Sequence, residues 1–270
     1  MNIFYAFLLG IVQGLTEFIP VSSTAHLLIA GKMLGLPSDN MTFSFSVIVQ
    51  LGTVVAMVAF FWTDIWEITK SFFLGIYHRK PFENLQARLG WLVIIATIPA
   101  LTAGFLLKDV IQSMFQDPYT QGGIRLLITA VMLTAVEYFD SRTRSLDSVT
   151  WVDALAVGLF QILAIFPGAS RSGSTIAGGM VRGFDRPAAA RFAFLMSGPI
   201  LVAAGTYESL KIVNLPGTVE YLPFLIVGFV TAGIVGWLSI KWLINYLGNH
   251  SLYIFSIYCA IAGAAVLLLK

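Results

Sequence analysis

Apolar residues run through this chain in long unbroken stretches joined by short polar links, and those stretches, more than any alternation, predict its elements. Six are long enough for the roughly 20 residues a helix needs to cross a bilayer. They place spans at about 43–62, 88–107, 121–139, 191–210, 221–242 and 251–269. Four shorter apolar pieces, at about 3–19, 22–35, 151–166 and 172–184, form two pairs, one broken at Pro20 and the other at Pro167. Proline lacks a backbone donor and disfavours helix in the residue before it. Each pair therefore predicts a re-entrant helical hairpin, over 3–35 and 151–184. Non-helical backbone at membrane depth is tolerated only where protein buries it or it lines a wet cavity. Two ordinary kinked spans are the alternative. Between the first two spans, 65–77 alternates apolar and polar faces at helical spacing, which predicts a helix lying on the membrane surface.

The two halves echo each other. Gly10-Ile-Val-Gln13 matches Gly158-Leu-Phe-Gln161, Pro20 matches Pro167, and Phe43-Ser-Phe45 matches Phe192-Ala-Phe194, all at offsets of 147 to 149. With one hairpin and three spans in each half, 1–140 and 150–270, the second half enters the membrane upside down. The expected fold is an all-α polytopic membrane protein with an inverted-topology repeat. Such repeats put their sites near the midplane, where broken helices aim their N-termini at anionic groups.

Composition agrees with a bilayer. Apolar residues are 57% of the 270 and charged residues 11%, against about 25% charged in soluble domains. The start, Met1-Asn-Ile-Phe-Tyr, lacks a basic region and a small-residue cleavage site, so a removable signal peptide is not expected. The single Cys259 excludes a disulfide within the chain and predicts a small buried hydrophobe. A net charge of +2 gives no reason to expect nucleic acid as a partner. The distribution of charge is more telling. Lys70, Arg79, Lys80, Arg88, Arg142, Arg144, Arg182, Arg186, Arg191 and Lys241 fall on one side, and Lys32, Lys108, Arg125, Lys211 and Lys270 on the other. The richer side is expected to be cytoplasmic, with both termini outside.

Polar chemistry concentrates in two stretches, one per hairpin: Gln13-Gly-Leu-Thr-Glu17-Phe-Ile-Pro20-Val-Ser22-Ser23-Thr24-Ala-His26 and Pro167-Gly-Ala-Ser170-Arg171-Ser172-Gly-Ser174-Thr175. Charged groups at membrane depth are costly and read as functional by default. A helix start offers unpaired N–H donors and partial positive charge, and Arg171 adds a fork suited to two phosphate oxygens. Ser22 or Ser23 can cap one helix, and Ser170 or Ser172 the other. Ser174 and Thr175 lie three and four residues past Arg171, on its face of a helix. Ser22, Thr24, Ser170, Ser172, Ser174 and Thr175 are thus the candidate phosphate ligands. Gln13 and Glu17 share one helix face, with Gln13 in support, and Ser23 and His26 share another. A serine beside a base can be a nucleophile. Three roles are open to Glu17: orienting His26, holding a divalent metal, or activating water. Duller roles exist for each: a structural Glu17–Arg171 pair, serines that only cap, a His26 satisfied in a helix contact, and Gln13 and Gln161 that pin helices. Glu137, Glu208 and Lys241, at span ends, are expected to reach the headgroups.

These two motifs, with 45–52 and the hydropathy layout of the whole chain, resemble the undecaprenyl-diphosphate phosphatase family, also called the bacitracin-resistance protein family. Where that family can carry two acids four apart, this chain has Gln13 and Glu17, leaving Glu17 as the sole acid. The resemblance implies a hydrolase acting on phosphorus-containing anhydrides. It would convert undecaprenyl diphosphate to undecaprenyl phosphate at the outer face of the bacterial cytoplasmic membrane, recycling the lipid carrier of peptidoglycan synthesis and conferring bacitracin resistance. It also implies a divalent cation, magnesium or calcium, and a working set of Glu17, Ser23, His26 and Arg171. The expected partners are a polyprenyl diphosphate lipid and the lipid bilayer, with a homodimer left open. Two mechanisms fit: Ser23 attacks with His26 or Glu17 as base, or His26 attacks with Ser23 as phosphate ligand. The competing function is a polyprenyl-phosphate transporter or flippase using the same phosphate site.

Overall fold

The computed structural model describes residues 1–37, 39–107, 118–139, 143–165, 169–212 and 218–268. Pro167 and Gly168 of the second motif, and Lys108, Arg142 and Lys270 of the charge count, lie outside the described residues. Every regular element described is helical: α1 (Ile3–Thr16), α2 (Ser23–Met33), α3 (Asn40–Phe60), α4 (Trp62–Tyr77), α5 (Leu85–Leu106), α6 (Pro118–Tyr138), α7 (Trp151–Leu163), α8 (Arg171–Val181), α9 (Arg186–Ile212), α10 (Thr218–Leu247) and α11 (Tyr253–Leu268), with a short 3₁₀ turn at Leu146–Ser148. Helix starts follow the usual chemistry, a side-chain oxygen accepting from a free first-turn N–H. Asn2 accepts from Tyr5, Asp39 from Thr42 and Asn84 from Ala87. Thr150 and Asp153 form a reciprocal capping box at α7.

Five helices are long and apolar enough to cross a membrane: Met41–Phe60, Leu85–Leu106, Tyr119–Tyr138, Arg186–Tyr207 and Val219–Leu247. They coincide with the first five expected spans. The sixth, Tyr253–Leu268, has 16 described residues. Large apolar side chains such as Val55, Phe105, Val131, Ile234 and Ile261 stand exposed on the helices while Phe45, Phe184, Phe192 and Leu243 fill the interior. An apolar exterior of that extent suits lipid rather than water. The protein is a multi-pass membrane protein.

α1 packs on α10 and contacts α2, and α7 packs on α5 and contacts α8. Both packed pairs depend on glycine. A Cβ at Gly10 would lie 2.8 Å from the Gly228 carbonyl oxygen on α10, and one at Gly158 would lie 2.4 Å from the Ala96 carbonyl oxygen on α5. The surface helix extends three residues earlier than expected, from Trp62, and buries none of its residues.

Two buried carboxylates away from the hairpin tips are paired within the protein. At the start of α7, buried Asp153 accepts from Arg144 (2.6 Å) and Arg182 (2.7 Å). Hydrogen bonding to Asp153 raises the pKa of the Arg144 guanidinium above its ordinary value. Glu137 does not reach the headgroups. It lies buried, gripped by Arg186 at 2.8 and 2.9 Å, and accepts from the Leu252 N–H at 2.7 Å. Burying a carboxylate is tolerable only with such partners, and breaking a pair of this kind typically costs about 3–5 kcal/mol.

Candidate active site

The first motif bends earlier than its proline. α1 ends at Thr16, and Glu17 through Ser22 form a tight turn in which the Val21 N–H reaches the Ile19 carbonyl at 2.7 Å. That turn folds Glu17 back over the first residue of α2. The Ser23 hydroxyl donates to Glu17 Oε2 at 2.7 Å, and Gln13 Nε2 donates to the same oxygen at 2.7 Å. The other oxygen, Oε1, forms an ion pair with Arg171, the first residue of α8. One buried carboxylate therefore joins the nucleophile candidate on one tip to the guanidinium on the other.

The tips also touch directly. The Ser22 N–H donates to Ser170 Oγ at 3.2 Å, and Ser172 Oγ donates to the Ile19 carbonyl at 3.4 Å. Ser170 is held from behind, its N–H donating to Thr129 Oγ1 on α6 at 3.1 Å. The capping expectation divides between the tips. Ser170 caps α8, its Oγ accepting from the Gly173 N–H at 3.2 Å, whereas Ser22 has a left-handed φ of 68° and makes no side-chain cap.

A cavity of about 570 Å³ opens at the junction, lined by Glu17, Ser22, Ser23, Thr24, Ser170, Arg171 and Ser172 among others. Gln13 lies behind Glu17, outside that lining. Ser174 and Thr175 are fully buried and do not line it either; the Thr175 hydroxyl donates back to the Arg171 carbonyl at 2.8 Å. The long Arg171 side chain leaves the helix start toward the cavity, while the residues one turn on face the packing of α8 against its neighbours.

His26 is not hydrogen-bonded to Ser23. Its Nδ1 lies 2.9 Å from the Ser22 carbonyl, and its Nε2 lies 2.7 Å from the Tyr258 hydroxyl on α11, with the two rings stacked at 5.7 Å. A carbonyl only accepts, so Nδ1 carries the proton and Nε2 accepts from tyrosine. His26 thus holds the backbone of the left-handed Ser22.

Sequence reading missed Arg125. Counted as a cation outside the membrane, it is 4% exposed and lines the same cavity. Its signal was available, since it lies four residues inside an apolar span, where a charge reads as functional. Gln161, read as a helix pin, also lines the cavity.

Residues 6–265 match the family described as bacitracin resistance protein BacA. The chain belongs to that family. Among similar proteins are the undecaprenyl-diphosphatase of Chloroherpeton thalassium, 41% identical over 275 residues covering 99% of this chain and 96% of the relative, and that of Thermomicrobium roseum, 40% identical over 277 residues covering 99% and 98%. The undecaprenyl-diphosphatase of Pelodictyon phaeoclathratiforme is 39% identical over 276 residues, covering 100% and 97%.

Proposed function

We propose that this protein is a membrane phosphatase that hydrolyses undecaprenyl diphosphate to undecaprenyl phosphate and inorganic phosphate, returning the lipid carrier to peptidoglycan synthesis and lowering sensitivity to bacitracin. The observation that carries this reading is the Ser23 hydroxyl 2.7 Å from a carboxylate that is itself paired with Arg171, inside one cavity. Ser23 Oγ attacks the terminal phosphorus and its proton passes to Glu17. The bridging P–O bond breaks and lipid phosphate leaves. Glu17 passes the serine proton to solvent; water then attacks the phosphoserine and gives a proton to Glu17, the P–Oγ bond breaks, and that proton returns to Ser23 Oγ as inorganic phosphate is released. Arg171 and the first-turn N–H groups of α2 and α8 offset charge on the transferred phosphoryl oxygens. His26 acts by fixing the Ser22 carbonyl, since its two ring nitrogens are already engaged. A carrier would need phosphate binding but not a serine hydrogen-bonded to an acid, and the relatives bear a hydrolase name.

A divalent cation would find one carboxylate among the described residues lining the cavity, Glu17, and would rest mainly on the oxygens of the substrate's phosphates. Among the described residues no group of three His, Cys, Asp or Glu side chains comes together. Glu17, the cavity's carboxylate, already binds Gln13, Ser23 and Arg171.

The inverted repeat has its support in packing that maps onto itself when the halves are exchanged. α1 on α10 answers α7 on α5, and α3 against α10 answers α9 against α5. The hairpins are re-entrant in this reading because α2 and α8, at 11 residues each, extend only about 16 Å against a hydrocarbon core of about 30 Å. The site faces the outer surface of the cytoplasmic membrane. Removing buried Arg125 from the sparser side of the charge count sharpens that orientation.

The test is phosphate release from a polyprenyl diphosphate by purified protein in detergent, with and without chelator. Ser23→Ala should fall about 10³-fold or more, and His26→Ala by less. A Ser23→Ala protein that keeps most activity while His26→Ala is dead would overturn the serine assignment.

A further inference from the structure

Among the cavity's polar residues outside the machinery described above are Arg125 and Gln161. Arg125 sits on α6, and one turn on, Thr129 Oγ1 donates to the Arg125 carbonyl (2.7 Å) while accepting from the Ser170 N–H (3.1 Å). The turn that carries Arg125 is thereby tied to the tip that carries Arg171. Gln161, near the end of α7, is 2% exposed, and among the described residues neither its amide nitrogen nor its amide oxygen finds a hydrogen-bond partner. A buried amide lining a cavity with both polar atoms unmatched calls for an explanation, and a ligand that completes it is one. The cavity's charge points the same way. Among the described residues lining it, Arg125 and Arg171 stand with one carboxylate, that of Glu17. Arg171 is paired with that carboxylate. A diphosphate brings charge on two phosphates, more than Arg171 offsets alone.

We infer that Arg125 and Gln161 form a second phosphate subsite that takes the phosphate bonded to the lipid, while Arg171 and the helix tips take the terminal one. This rests on the diphosphatase reading and deepens it. When Ser23 Oγ bonds to the terminal phosphorus, the bridging P–O bond breaks and its electron pair stays on the departing lipid phosphate, whose charge rises by one as the Ser23 proton moves to Glu17. A guanidinium at that subsite meets charge as it develops. The subsite also makes the protein selective for diphosphates over monophosphates, which favours release of the product.

Calorimetric titration of the purified protein in detergent, with a prenyl methylenediphosphonate and the matching prenyl phosphonate, tests this. Wild-type protein should bind the diphosphonate at least about tenfold more tightly than the phosphonate. Arg125→Gln should weaken diphosphonate binding by about 10- to 100-fold and bring the preference close to unity. Gln161→Met should weaken the diphosphonate by a smaller factor while raising the melting temperature of the ligand-free protein, because it removes an unmatched buried amide. A purely structural glutamine would show the reverse, lower melting with unchanged affinity. An Arg125→Gln protein that keeps the wild-type preference overturns the subsite. If that variant does not fold, Gln161→Met decides by its pair of readouts. Wild-type protein that releases no phosphate from polyprenyl diphosphate sinks the phosphatase reading instead, whereas normal turnover with an unaltered preference in Arg125→Gln sinks the subsite alone.

Discussion

The tips that open α2 and α8 stand in equivalent places of the two halves, Ser22 and Ser170 being 148 residues apart, yet they are finished in opposite ways. Ser170 has extended backbone, φ −70° and ψ 131°, and its hydroxyl caps its own helix while accepting from Ser22. Ser22 is left-handed, caps nothing, and is held through its carbonyl by His26. The α8 tip is a finished scaffold that presents a guanidinium. The α2 tip is strained, and its turn brings Glu17 onto Ser23. Non-glycine residues in left-handed conformation cost of order 1–3 kcal/mol and persist where their surroundings fix them, often at functional sites. The comparison assigns chemistry to the first tip and charge neutralisation to the second.

The largest effect expected from breaking that division is at Glu17. Glu17→Gln keeps a polar partner for Gln13 but removes the base, and should lower kcat by about 10²- to 10⁴-fold in the phosphate-release assay. Full activity would remove the acid from the mechanism. On the other tip, Arg171→Lys keeps the charge and loses the planar fork, so a fall of about 10- to 100-fold is expected. Near-normal turnover would show that one point charge suffices there.

That the two motifs converge was legible before any coordinates, because matching prolines and hydroxyl clusters in an apolar chain predict opposed helix starts. Helices long and apolar enough to cross a membrane stand at five of the six expected spans, because sustained hydropathy leaves few alternatives. The Glu17–Arg171 pair was among the roles open to those residues, but the contacts set by the turn and the other distant pairings escaped. Helical spacing put Ser23 with His26, but Glu17 reaches Ser23 across a non-helical turn, which no periodicity describes. Likewise Glu137 read as a headgroup residue because its partner, Arg186, lies 49 positions away on another helix. Ser174 and Thr175 were placed beside Arg171 by residue spacing alone. A long side chain at a helix start can leave the face its neighbours keep.

The smallest effects separate the two serines most cleanly, since one substitution has two expected outcomes. Ser170→Gly keeps a tolerable cap residue but deletes the acceptor for the buried Ser22 N–H, and should cost about 1–3 kcal/mol, read as a lower melting temperature in detergent. At Ser22 glycine relieves the left-handed backbone, a gain that its greater freedom in the unfolded chain largely offsets. Ser22→Gly should therefore stay within about 1 kcal/mol of wild type, whereas Ser22→Val, β-branched at the same φ, should destabilise by at least that much. If Ser22→Gly melted as low as Ser170→Gly, the Ser22 hydroxyl would be supporting the first tip, and the strain assigned to that tip would be wrong. Turnover gives the second reading. Loss of activity in Ser22→Gly with unchanged melting would give the hydroxyl of Ser22, a residue that lines the cavity, a contact with the phosphate.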